Sequence, residues 1–130
     1  YYFNLGEICV FEKQYHKAMD YYMQGLKIDE LQDNKPSIAS DYNMIGELYA
    51  EMNDLSKAER FFNESLSIAK QINARPELAS AYYNLGILYK KNGHKNKARD
   101  YLRQAQEIYA SMATSSYQEI KKELLELDNQ

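Results

Sequence analysis

Cysteine, proline and tryptophan are scarce: one, two and none in 130 residues. A single thiol, Cys9, excludes an internal disulfide and points to a reducing, cytoplasmic setting. No run approaches the ~20 consecutive apolar residues of a membrane span, so no membrane partner is expected. Excess charge is missing too. The net charge of -3 is too small to define a partner and falls short of the basic excess that nucleic-acid binders carry, so nucleic acid is not expected either. There is no glycine-rich phosphate loop, no Gly-x-Ser-x-Gly and no His-Glu-x-x-His, and the acidic residues scatter over polar faces. No catalytic residue and no cofactor follow from this sequence. His16 and His94 lack Cys or His partners at ligand spacing, so no metal site follows either.

What the chain has in quantity is repetition. Gly6, Gly46 and Gly86 stand forty residues apart inside nearly the same word: Tyr2-x-x-Leu5-Gly6, Tyr42-x-x-Ile45-Gly46 and Tyr82-x-x-Leu85-Gly86. A Lys-Ala pair follows each glycine at a fixed distance (Lys17-Ala18, Lys57-Ala58, Lys97-Ala98), and an isoleucine follows each pair (Ile28, Ile68, Ile108). A unit this short cannot bury its apolar face alone and must stack on its neighbours. Its composition, 45% apolar and 27% charged, suits one helical domain over residues 1–130.

Within each period the apolar spacing predicts two antiparallel helices. Pro76 suits a first helical turn, where its missing N–H costs nothing, and Ala79, Tyr82, Leu85, Gly86 and Tyr89 recur at three and four until Asn92-Gly93 stops the helix. A second helix is expected from about His94 to Met112. The middle copy repeats this from Pro36 to Met52 and from Leu55 to Ile72, with Asp54 or Ser56 as cap. The first copy turns at Lys13-Gln14 without a glycine. Repeats of about 1–35, 36–75 and 76–113 result. A glycine inside a helix costs ~1 kcal/mol relative to alanine, so Gly6, Gly46 and Gly86 imply a close helix crossing, with Ala18, Ala58 and Ala98 as the matching small residues. Cys9 and most of the thirteen tyrosines read as core.

Beyond Thr114, Ser116-x-x-Glu119 reads as a capping box. Tyr117, Ile120, Leu124 and Leu127 make one apolar side, with Lys121 and Lys122 in solvent. A capping helix over 116–127 is expected to cover the third repeat. The opposite end, with Tyr1, Tyr2 and Leu5, has no cap. The chain opens inside a repeat, so it reads as a fragment of a longer protein whose bare end self-associates.

These words resemble the tetratricopeptide repeat (TPR). Its signature reads Tyr82, Leu85-Gly86, Tyr89, Ala98, Leu102, Ala105 in the third copy and Tyr42, Ile45-Gly46, Tyr49, Ala58, Phe62, Ser65 in the second. The first copy has Tyr2, Leu5-Gly6, Cys9, Ala18, Tyr22, Gly25. The period departs from the usual ~34 residues and looks like the long repeats of bacterial peptide-pheromone receptors, kinesin light chains and spindle-orientation adaptors. The resemblance implies an all-α fold: a right-handed TPR-like α-solenoid of three helical hairpins plus a C-terminal capping helix.

It also implies a concave groove, lined by the first helix of each repeat, that holds a protein or peptide segment. Carried over by spacing, the groove positions are Phe3, Asn4, Glu7 and Phe11, then Asn43, Glu47 and Glu51, then Tyr83, Asn84, Ile87, Lys90 and Lys91. Glu7, Glu47 and Glu51 would make one end acidic, and Lys90 and Lys91 the other basic. The basic run from Lys90 to Arg99 reads as a solvated turn. The function implied is a protein-protein or peptide interaction module. The alternatives are a peptide-sensing regulatory domain of a larger signalling or transcription-regulatory protein, and a structural spacer.

Overall fold

Turn residues recur with the same period as the glycines, and they decide where each helix stops. Lys13, Asn53 and Gly93 hold positive φ (61°, 62° and 81°), as do Asp33 and Asn73 (50° and 55°). After each, the next backbone N–H reaches back five residues to close the helix. Gln14 bonds the Cys9 carbonyl at 2.7 Å, Asn34 that of Asp29 at 3.0 Å, and Asp54, Ala74 and His94 those of Tyr49, Ala69 and Tyr89 at 2.9 Å. This left-handed ending satisfies carbonyls that a helix end would otherwise orphan. Helix starts are capped by Asn34, whose side chain accepts from the Ser37 N–H at 3.5 Å, and by Asp54, which accepts from Lys57 at 3.3 Å.

The computed structural model describes residues 2–112 and 116–129. Among these residues seven helices and no strand are found: α1 (Tyr2–Phe11), α2 (Tyr15–Leu31), α3 (Lys35–Glu51), α4 (Leu55–Ile72), α5 (Arg75–Lys91), α6 (Lys95–Met112) and α7 (Ser116–Asp128). Helices α1 and α2, α3 and α4, and α5 and α6 pair as hairpins. Each hairpin then stacks through its first helix on the second helix of the one before, and α3 also touches α5. The fold is an all-α TPR-like helical repeat. Two apolar clusters fill it, one centred on Tyr22, Ile45 and Leu48, the other on Phe62, Leu85, Leu102, Ile120 and Leu127.

The glycines mark the crossings, and the nearest neighbours of each are the large side chains of the second helix. A Cβ on Gly6 would strike the Tyr22 ring, one on Gly46 would lie 2.6 Å from Phe62, and one on Gly86 would lie 2.7 Å from Leu102 Cγ. The large side chain four residues after each alanine crosses over the glycine. Ala18, Ala58 and Ala98 are fully buried, and the Ala98 carbonyl would lie 3.3 Å from a Gly86 Cβ. Gly25, in α2, makes the same room for Phe3.

Aromatic rungs join the two helices of each hairpin, and two of the three repeated lysines cover them. Tyr2, Tyr42 and Tyr82 approach Tyr21, Phe61 and Tyr101 at 6.4, 5.7 and 6.1 Å between centroids. In the later hairpins Tyr49 and Tyr89 also stack on Phe61 and Tyr101, at 5.4 and 5.5 Å. Lys57 lies over the Tyr49 ring at 5.5 Å and Lys97 over the Tyr89 ring at 5.2 Å, each a cation–π contact. Buried Cys9 replaces the second rung in α1. Tyr82 is buried as expected, whereas Tyr42, Tyr49 and Tyr89 are half-buried.

Helix α7 lies on α6. Ile120 and Leu127 are buried, Tyr117 and Leu124 half-buried, and Lys121 and Lys122 exposed. The Ser116 side chain of the expected capping box, and Tyr1 at the other end, lie outside the described residues.

Candidate functional site

Between α3 and α5 a cleft of about 130 Å³ is lined by Glu47, Ala50 and Glu51, by Phe62 from α4, and by Asn84, Ile87, Leu88 and Lys91. Its floor follows from the crossing. Gly46 lets the Phe62 ring lie under α3, and Phe62 and Leu88 there are buried. Apolar cavities of roughly 150 Å³ admit benzene, so this space suits one mid-sized side chain. A second cleft, about 170 Å³, continues towards the start of both helices between Ser40, Asn43, Met44 and Glu47 on one side and Pro76, Glu77 and Ser80 on the other. Glu47 borders both.

An amide network spans the walls. Asn84 Nδ2 donates to Glu47 Oε1 at 3.1 Å and to Asn43 Oδ1 at 3.4 Å, and Asn43 Nδ2 donates to the Glu77 carbonyl at 3.5 Å. Glu47 is open to water, yet protein stands on several sides of it between α1, α3 and α5. Desolvation pushes its pKa above the ordinary carboxylate value, the Asn84 bond pulls it down, and the charges of Glu7 and Glu51 push it up again.

Helix α7 supplies a further acidic wall. Lys90 Nζ lies 2.6 Å from Glu123 Oε2 and 2.7 Å from Glu126 Oε2. These bonds hold the Lys90 ammonium above its ordinary pKa and Glu126 below its own. Burial raises the pKa of the Tyr83 phenol beside them, and Glu123 and Glu119 add to the rise.

Of the sequence-derived positions, Glu47, Glu51, Asn84, Ile87 and Lys91 share one cleft. Asn4 and Glu7 are exposed on α1, and Phe11 is 89% exposed at its end. Asn43 is only 5% exposed and its oxygen is engaged, so it acts as a strut between α3 and α5. Phe3 packs over Gly25 and stacks on Tyr22 at 5.2 Å, holding α1 to α2. The acidic-to-basic gradient is not what the fold builds. Lys90 is neutralised by α7, and Lys91 borders the same cleft as Glu47 and Glu51. The basic run is also partly engaged, since Lys97 covers Tyr89 and Arg99 pairs with Asp128 at 3.0 Å. Phe62 and Leu88 had not been picked out as lining residues. The glycine opposite Phe62 was the available signal, because a ring laid across a helix leaves a hollow beside it. Among the described residues no group of three or more His, Cys, Asp or Glu could hold a metal ion, and no helix is long and apolar enough to cross a membrane.

The sequence profile of the tetratricopeptide repeat matches residues 1–71 and again residues 37–111. No curated protein matches the sequence. Among solved structures, the apo form of RapI superposes with a TM-score of 0.90 at 22% identity, over 98% of this chain and 47% of that one. A Rap protein complexed with competence and sporulation factor gives 0.87 at 21%, over 97% and 36%. TPR-like repeats of a Podosopora anserina chain named for kinesin light chain give 0.83 at 17%, over 97% and 63%. The chain thus spans less than two thirds of each of these structures, and at such identities the likeness speaks for the fold.

Proposed function

This chain belongs to the tetratricopeptide repeat family, and we propose that it is a non-enzymatic interaction module that seats a segment of a protein or peptide partner along the face of α1, α3 and α5. The observation that carries this reading is the cleft floored by Phe62 and Leu88, with Asn84 and Glu47 at its mouth. An apolar anchor fills the floor. The Asn84 amide, which both donates and accepts, pairs with the segment's backbone. Pull-down from a cell extract with the parent chain and with the double variant Glu47→Lys, Asn84→Ala, followed by mass spectrometry, tests it. A partner held by the parent and lost by the folded variant supports the cleft. A partner held equally by both moves binding elsewhere.

The likeness to a Rap protein solved with a bound factor favours a second reading, a peptide-sensing regulatory domain in a larger signalling or transcription-regulatory protein. In this reading a short peptide changes the stacking angle of the hairpins, and small-angle scattering with and without the recovered ligand would register it. Self-association is a separate contact. Ile8, 55% exposed, occupies the position at which Leu48 and Leu88 are buried, so this face suits a second copy of the chain. Sedimentation equilibrium of the parent and of Ile8→Glu tests that, and a monomeric parent at high concentration would exclude it.

A further inference from the structure

We infer that the α1–α3–α5 face selects a cationic peptide segment, one in which a lysine or arginine lies next to an apolar anchor; this rests on the groove reading above. Glu7, Glu47 and Glu51 stand on that face, and among the described residues none of them forms an ion pair. Their crowding registers at Glu47, whose affinity for a proton is raised by desolvation, lowered in part by the Asn84 bond, and raised again by Glu7 and Glu51. The hydrogen-bond partner of Glu47, Asn84, is neutral and leaves that charge in place. Of the two neighbouring lysines on α5, Lys91 lines the cleft with Glu47 and Glu51, and Lys90 is held by Glu123 and Glu126. Two carboxylates against one ammonium leave that corner negative as well.

Helix α7 therefore engages one α5 lysine and adds acid beside the groove, leaving Lys91, among the described residues, as the single base that lines the cleft against Glu47 and Glu51. A cation entering between Glu47 and Glu51 gains attraction in a concave place where less water screens the charges, while an anion meets carboxylates from α1, α3 and α7. Phe62, Ile87 and Leu88 have no polar side-chain atom, which sets the second requirement: the residue beside the cation must be apolar.

The test uses three short fluorescein-labelled peptides with the same leucine spacing and either lysine, glutamine or glutamate between the leucines. Anisotropy titrations compare the full chain with Glu47→Gln/Glu51→Gln, with Glu64→Gln/Glu107→Gln, which removes equal charge from the exposed faces of α4 and α6, and with Ala50→Phe, which fills the cleft. Circular dichroism checks that each variant folds, and Ala50→Met replaces Ala50→Phe if that variant does not. The lysine peptide is expected to bind about tenfold tighter than the glutamine peptide, and the groove pair to remove most of that advantage. The remote pair is expected to change affinity by less than about twofold, and the filled cleft to weaken lysine and glutamine peptides together. Equal affinity for the lysine and glutamine peptides, or equal loss from both variant pairs, overturns the charge selection; if the filled cleft still weakens binding, the groove reading survives without it. If the groove pair and the filled cleft both leave binding unchanged, or no peptide binds, both readings fall.

Discussion

Where α5 lies on α4, the residue before Tyr82 is Ala81, fully buried; where α3 lies on α2, the residue forty positions earlier is Asp41, 4% exposed, with its Oδ2 lacking any hydrogen-bond partner. Alanine simply fills its space. Asp41 is buried near Asp29 and Glu30, and burial first, then the nearness of the Asp29 carboxyl and the charges of both acids, push its pKa up to about 8. The second joint has an alanine at this place and keeps its polar contacts, such as Tyr89 with Glu59 at 2.8 Å, elsewhere, while the first buries a carboxyl that is held best when protonated. Repetition of the backbone does not make the joints equivalent.

Moving the acid to the other joint should have the largest effect. Ala81→Asp places a carboxyl inside the second apolar cluster, with an expected loss of roughly 3 kcal/mol or more. Denaturant titration measures it, and an unchanged midpoint would mean the two joints tolerate an acid alike. The reverse change, Asp41→Ala, should stabilise the chain. Asp41 titrates near 3.8 when unfolded and near 8 when folded, so the folded state holds the proton more tightly. The stability this supplies is complete below about pH 4 and is lost as pH rises through about 8. The variant should then exceed the parent by about 2–4 kcal/mol at pH 8 and by little at pH 4. Parallel stability curves for the two proteins across that range would show that no proton is held at the first joint.

Smaller effects separate hairpin packing from joint packing. Gly86→Leu overpacks the crossing against Leu102 and the Ala98 backbone, at about 1–3 kcal/mol, and should leave the pH dependence of the first joint intact. Thermal unfolding at two pH values checks both parts. Lys90→Met frees Glu123 and Glu126 and should lower stability by less than about 1 kcal/mol, since the ion pairs are partly open to water. Faster amide exchange confined to α7 would place the effect at its docking, and uniform exchange would deny it.

Much of the fold was legible because its signals are local. Helix α4 runs from Leu55 to Ile72 as its apolar spacing indicates, and Asp54 caps it. Lys13 turns the chain without a glycine because the backbone closure after it needs only one left-handed residue. The site was less legible. Glu47, Glu51, Asn84, Ile87 and Lys91 could be placed together by repeat spacing, whereas Phe3 packs α1 on α2, and Asn43, which lines the second cleft, also braces α3 against α5. Asp41 looked like any polar residue on a helix, and its burial depends on α2 lying across it.

Hydrogen bonds within helices, apolar periodicity and turn closure act over four or five residues. The order of residues is therefore enough to specify the helices, the hairpins and their repetition. The partners of Asn84, Lys90 and Asp41 are of another kind. They join residues 41, 37 and 33 positions apart for the first two, and for Asp41 they arise where one hairpin stacks on the next. Charge and solvation at such places depend on which side chains stacked helices bring within a few ångströms, and that arrangement exists only once the hairpins have packed.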